Sequence, residues 1–168
     1  MPLKTHDHTG VGTLFANSCA LYYALREGAN VALLSWGWIG KPTYIVKRAL
    51  DSLRIQNNAI IVNAAGNFGK NLDIVPVYPA IYNTTNLVTV GSLHPQGNSY
   101  VHSAFSNYSN SVVDIGALGE NIVFPNDTVV YGGTSYAAPQ VAATVAALYC
   151  FSNDSVPSIL EHLYECTD

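Results

Sequence analysis

Three short apolar runs, Val31-Ala32-Leu33-Leu34-Ser35, Ala59-Ile60-Ile61-Val62-Asn63-Ala64 and Leu87-Val88-Thr89-Val90-Gly91, limit how this chain can fold. They do not alternate polar with apolar side chains. Each therefore reads as a strand covered on both faces, the pattern of a parallel sheet. The stretches between them have helical periodicity. From Leu14 to Gly28 the positions Leu14, Phe15, Cys19, Leu21, Tyr22, Ala24 and Leu25 mostly share one face, and Gly28 supplies the stop. Trp36 to Pro42 reads as a loop, Thr43 to Gln56 as a second helix, and Ser155 to Leu163 as a closing helix. A weaker fourth strand is expected among Val112-Val113-Asp114-Ile115 and Ile122-Val123. Strands alternating with helices imply an α/β fold with right-handed crossovers.

Only 11% of the 168 residues are charged against 49% hydrophobic, which supports one domain with a substantial core and excludes a disordered chain or a nucleic-acid surface. The net charge of −4 selects no class of partner. No membrane-spanning run is present, and Met1-Pro2-Leu3-Lys4-Thr5-His6-Asp7 is too polar to open a signal peptide, so no compartment is readable. Cys19, Cys150 and Cys166 are odd in number, show no metal spacing, and read as core or free thiols. Sequons at Asn83, Asn107, Asn126 and Asn153 would matter only in a secreted chain.

Open α/β sheets place their chemistry at the carboxyl ends of the strands. Two stretches stand out there. In Tyr131-Gly132-Gly133-Thr134-Ser135-Tyr136-Ala137-Ala138-Pro139, a glycine turn runs into a small-residue helix with Ser135 expected at its N-cap. First-turn N–H groups have no partner inside a helix and the dipole adds positive charge, so an anion forming beside the serine oxygen is stabilised. If Ser135 is the cap, Pro139 deletes the bond its carbonyl would accept. The other stretch, Ala64-Ala65-Gly66-Asn67-Phe68-Gly69, ends a strand with two glycines that let backbone come close to something.

Gly133-Thr134-Ser135-Tyr136-Ala137-Ala138-Pro139 resembles the nucleophile motif of subtilisin-like serine proteases, the subtilases (peptidase family S8). The resemblance implies Ser135 as nucleophile and Asn67 as the amide donor of an oxyanion hole. Leu34-Ser35-Trp36-Gly37 resembles the segment that lines the substrate channel, and Val11-Gly12-Thr13 the strand opposite it. A polypeptide substrate would then lie between them as an added strand. The implied substrate-binding residues are Val11, Gly12, Ser35, Trp36, Gly37, Ala65, Gly66 and Thr134, with Trp36 either walling an apolar subsite or standing as a half-buried loop tryptophan. Phe105-Ser106-Asn107-Tyr108 and Val113-Asp114-Ile115-Gly116-Ala117-Leu118-Gly119 resemble structural stretches before the nucleophile loop, and Tyr78-Pro79-Ala80 a turn that holds a cis proline. No cofactor is implied; calcium occurs in the family, but no metal site is readable.

The chain departs from the family pattern with Gln140 where many relatives carry His, Ala143 where they carry Gly and Leu118 where they carry Pro. Subtilase order is Asp, His, Ser, and the Asp-Thr-Gly and His-Gly-Thr-His motifs both precede the first helix read here. Neither stands in this chain. His8-Thr9-Gly10-Val11-Gly12-Thr13 looks like a worn histidine motif, but a base at His8 would delete a strand and a helix before Ser35. Residues 1–10 therefore read as a polar stub and 11–168 as a partial catalytic domain. The implied sheet is three-layered, with helices on both faces, and cut to about the last four core strands. Val31-Ala32-Leu33-Leu34 becomes a naked edge that invites a complementing N-terminal fragment or self-association. The expected activity is peptide-bond hydrolysis, weak or absent in this chain alone, with a catalytically dead peptide-binding scaffold as the alternative.

Overall fold

The computed structural model describes residues 1–152 and 154–165. Helix α1 spans Leu14–Arg26, strand β1 Val31–Leu34, β2 Trp38–Ile39, helix α2 Tyr44–Asn57, β3 Ile60–Ala64 and β4 Val77–Tyr78. Then come β5 Leu87–Gln96, β6 Ser99–His102, β7 Ile115–Leu118, α3 Thr134–Phe151 and α4 Val156–Glu165. Cys166 and the sequon at Asn153 lie outside the described residues.

Strands β1, β3, β5 and β7 pair in parallel in that order. The three apolar runs are the first three of these strands. Register is fixed by Val31 beside Ile60, Ile61 beside Leu87 and Val90 beside Ile115. Side chains of successive residues leave a strand on opposite faces, and each face here meets helices. Ile60, Val62, Val88 and Val90 pack with Ala137, Ala138, Val141 and Val145 of α3 and with Ile159 of α4. On the other face Ala32, Leu34 and Ile61 pack with Leu21 and Ala24 of α1 and with Val46, Leu50 and Leu53 of α2. Every residue of β3 is buried. Each such aliphatic side chain contributes roughly 1.5–3 kcal/mol relative to exposure. The centre of the sheet is therefore the most heavily stabilised part, and its strand ends are held firmly.

Three expectations shift. The fourth strand runs over Ile115–Leu118 rather than Val112–Ile115, because Asp114 is used to lock its entry: its backbone N–H donates to Thr89 O at 2.9 Å and its carboxylate accepts from Thr89 N at 2.7 Å. Ile122 forms only an isolated bridge with Tyr131. The loop after β1 contains β2, which pairs antiparallel with β4, and β5 continues past Gly91 into a hairpin with β6. The peptide bond between Tyr78 and Pro79 is cis.

Candidate active site

The N-cap of α3 is Gly133, not Ser135. Its φ of 154° is one that side-chain-bearing residues rarely adopt, and a Cβ there would stand 3.1 Å from Nδ2 of Asn67. Ser135 is thus the second helical residue. Pro139 still falls where the Ser135 carbonyl would seek its i+4 donor, so α3 carries a proline within its first two turns.

A short relay joins the two glycine-rich turns. Gly66 N donates to Thr134 Oγ1 at 3.1 Å, Thr134 Oγ1 donates to Asn67 Oδ1 at 2.8 Å, and Thr134 N donates to the same oxygen at 2.8 Å. Thr134 is fully buried. The amide oxygen of Asn67 is therefore committed, which fixes the amide plane and leaves Nδ2 as the end turned toward the Gly133 side of the turn. One orphan N–H of the first helical turn is satisfied by the same oxygen. Ser135 itself is half-buried, and its Oγ donates to Ser35 O at 3.5 Å, a long bond.

The turn carrying Asn67 is held from below by Asn107. Its Oδ1 accepts from Phe68 N at 3.1 Å and Lys70 N at 3.0 Å, while its Nδ2 donates to Ala65 O at 2.7 Å. Asn107 is completely buried, so its sequon is structural and not an acceptor site on the folded surface. Sequence reading placed Asn107 in a structural stretch but missed that it clamps the turn carrying the expected oxyanion donor; the only available signal was an Asn amid Ser and Phe, which has no particular meaning. Gly66 has φ of 97°, and a Cβ on it would stand 2.6 Å from Asn107 Nδ2. Glycine is required there twice over.

The remaining expected site residues fall in two groups. Ser35, Gly37, Ala65, Gly66, Asn67, Thr134 and Ser135 lie on the loops that end β1 and β3 and that open α3, and the bonds above tie Ser35, Gly66, Asn67, Thr134 and Ser135 together. Trp36 is half-buried and its ring stacks on Trp38 at 6.1 Å, which in turn stacks on Tyr78 at 5.6 Å. Val11 is exposed, and Gly12 bridges antiparallel to His6, whose imidazole covers its Cα. Thr13 caps α1 through Oγ1, which accepts from Ala16 N at 3.0 Å. His8 is exposed in the turn organised by Asp7, whose carboxylate accepts from Thr9 and Val11. Two departures from the family pattern touch each other: Gln140 Nε2 donates to Leu118 O. No group of three or more His, Cys, Asp or Glu able to hold a metal is found among the described residues. Nor is any described helix long and apolar enough to cross a membrane.

Comparison with known proteins identifies the family. The model of the Subtilase family matches residues 1–165. Thermitase of Thermoactinomyces vulgaris is 34% identical over 152 residues, covering 88% of this chain and 50% of that protein. Subtilisin-like protease 2 of Plasmodium falciparum (isolate 3D7) is 33% identical over 169 residues, covering 96% of this chain and 12% of that protein. The crystal structure of a cold adapted subtilisin-like serine proteinase superimposes with a TM-score of 0.77 at 28% identity, covering 96% of this chain and 57% of that one. The chain thus spans about half the length of thermitase and far less of the Plasmodium protein. With the family model running over nearly all of its length, this chain is a member of the subtilase family.

Proposed function

We propose that the chain is the later part of a serine endopeptidase catalytic domain, in which Ser135 is the nucleophile and Asn67 the side-chain donor to the oxyanion. The observation that carries this is the double acceptance at Asn67 Oδ1, which aims Nδ2 beside the serine turn before any substrate arrives. A preoriented donor of this kind contributes about 3 kcal/mol to the transition state of acyl transfer, roughly a thousandfold in rate. The reaction is attack of Ser135 Oγ on a peptide carbonyl, expulsion of the amine, and hydrolysis of the acyl-enzyme by water.

A serine hydroxyl needs a base to take its proton. Here the Ser135 hydroxyl hydrogen-bonds to a carbonyl oxygen, which cannot serve as one. We assign the base and its orienting carboxylate to polypeptide outside these 168 residues, so that residues 1–168 alone hydrolyse peptides slowly or not at all. In subtilisin, losing the histidine alone costs about a millionfold in turnover. The same long Ser135–Ser35 bond favours the second reading, a peptide-binding scaffold with a silent serine. Prolonged incubation with a fluorophosphonate probe followed by peptide mass spectrometry separates the two. The proposed function predicts a slow adduct on Ser135 that is lost in Ser135→Ala. Absence of any adduct supports the scaffold.

A further inference from the structure

The segment that leads into the Ser135 turn is a narrow ribbon, and its attachment to the sheet is ionisable. Ile122 N donates to Tyr131 O at 2.9 Å and Tyr131 N to Ile122 O at 2.8 Å, which closes the far part of the ribbon. Nearer the sheet, Gly133 N donates to Gly119 O at 2.7 Å, and Gly119 N donates to Leu93 O of β5 at 3.1 Å. Gly119 is buried and has no room for a side chain: a Cβ on it would stand 2.5 Å from Ser92 Oγ and 2.7 Å from Gly133 O. The place of Gly133, the cap of α3, is thus handed on from β5 through Gly119.

The next residue on each side of this junction is titratable. His94 follows Leu93, Glu120 follows Gly119, and His94 Nδ1 stands 3.2 Å from Glu120 Oε2. Both atoms are shut off from water, and neither takes part in an aligned hydrogen bond among the described residues. What joins them is charge. A proton on the far ring nitrogen alone would set the Nδ1 lone pair against a carboxylate with no water between, which burial makes costly. Protonation of His94 turns the same contact into an imidazolium–carboxylate pair. The surrounding elements bring no rival charge. Strand β6 sets Val101 opposite His94, with Tyr100 and His102 to either side, and the His102 ring lies edge-on to Tyr108. Neither β7 nor α3 contains Asp, Glu, Lys, Arg or His, and Tyr136 of α3 packs on Tyr131. Within the ribbon, the Tyr131 hydroxyl donates to Asp127 at 2.9 Å.

We propose that His94 and Glu120 form a proton-operated strut that holds the ribbon, and with it Gly133, against β5. They are positioning residues, and their effect reaches Ser135 through Gly119 and Gly133. With His94 protonated the pair adds to the hold on Gly133; as pH rises through the imidazole range of about 5 to 8 that addition is lost. A looser Gly133 orients the Ser135 turn less well against Asn67, whose Nδ2 would be 3.1 Å from a Cβ on that glycine. This last consequence rests on the roles proposed above for Ser135 and Asn67; the hold on Gly133 does not.

Amide hydrogen exchange followed by NMR tests the strut in the whole chain. The protection factor of Gly133 is taken as a ratio to that of Val62 in β3, so that changes in global stability cancel. The ratio is expected to fall about two- to fivefold between about pH 5 and about pH 8, the scale of a part-exposed ion pair. In the same spectra the Gly133 amide shift is expected to titrate with the midpoint of the His94 ring. His94→Gln and Glu120→Gln should each remove the fall, and either suffices if the other does not fold. A ratio independent of pH in the unaltered chain, separate midpoints for Gly133 and His94, a fall that persists in either variant, or a Gly133 unprotected at both pH values overturns the proposal. The fate of the nucleophile is read separately. A fall in the ratio with no fluorophosphonate adduct refutes only the role of Ser135; an adduct with a ratio insensitive to pH refutes only the strut.

Discussion

The loops around Ser135 and the free edge of β1 belong to one sheet, yet they are completed to different degrees. Around Ser135, polar groups find partners within the chain: Gly66, Thr134, Asn67 and Asn107 form one connected set of bonds, and the residues that carry it are anchored by the buried strand β3. At β1 the situation is reversed. Leu33 is 43% exposed and Phe15 on α1 is 74% exposed, while among the described residues β1 has a strand neighbour on one side only. Alignment of the proposed oxyanion donor is thus a local property of these residues, whereas the strand edge is left apolar and open. The comparison locates the incompleteness of the proposed mechanism on one side of the sheet.

The largest expected effect tests the finished side. Asn67→Ala should lower any Ser135-dependent hydrolysis of an activated ester by about a thousandfold in kcat/KM, with the far-ultraviolet spectrum unchanged. A loss of less than tenfold would mean that Nδ2 does not face the developing charge. Next in size is the contrast between core and edge. Ile61→Ala, at a fully buried site of β3, should cost about 2–5 kcal/mol in urea unfolding. Leu33→Ser should cost within about 0.5 kcal/mol. It should also reduce association on size-exclusion chromatography, because it removes an apolar group from an unpaired edge. Comparable destabilisation by the two would abolish the distinction drawn between them.

Thr134→Val should cost about 1–3 kcal/mol, since it keeps the shape but leaves Gly66 N and part of Asn67 Oδ1 unpaired in a buried place. Thr134→Ser should recover most of that. Full stability of the valine variant would show that the relay is incidental.

The smallest effects are pH slopes. Burial raises the carboxyl of Asp114 above its ordinary value, against the lowering effect of the Thr89 N–H. The native state then holds that proton more tightly than the unfolded chain does, so the Asp114 contribution to stability falls as pH rises through the acid range and is fully lost above the native pKa. Burial, and after it the charge of Asp114, pushes the Tyr164 phenol from 10.0 up to about 12. By the same sign, stability falls between those two values as the unfolded phenol ionises first. Urea midpoints across pH should show a shallower acid slope in Asp114→Asn and a shallower alkaline slope in Tyr164→Phe. Parallel profiles for variant and parent would remove these groups from the account.

What the sequence made legible followed from apolar continuity. The runs at 31–35, 59–64 and 87–91 had nowhere to go but the inside of a sheet, and the helices between them followed from spacing. Ser135 and Asn67 stand out in sequence because each sits in a motif with a chemical meaning of its own, and the fold brings their two turns together through Thr134. The helix cap was misplaced because a serine is the better generic cap; the actual cap is a glycine in a conformation that serine would resist, with Asn67 arriving from 67 positions away to satisfy Thr134 N. The β2–β4 ribbon is two residues deep and leaves no periodicity to detect. The hairpin at β6 is mostly exposed, so its strand carries no apolar signal. Asn107 acts on Gly66 only through the folded chain, from 41 positions away, and sits in no spacing that a local pattern could flag.

The buried clamp at Asn107 has a consequence for where this chain can mature. The triplet Asn107-Tyr108-Ser109 is a glycan acceptor in an unfolded chain, and in the folded one the same amide spends both ends on Ala65, Phe68 and Lys70. A sugar attached during translocation would occupy the nitrogen that donates to Ala65 and could not be accommodated at a site with no exposure. Sugar transfer at Asn107 and closure of the turn that carries Asn67 therefore exclude one another, and in a glycosylating compartment the yield of folded chain is set by which comes first.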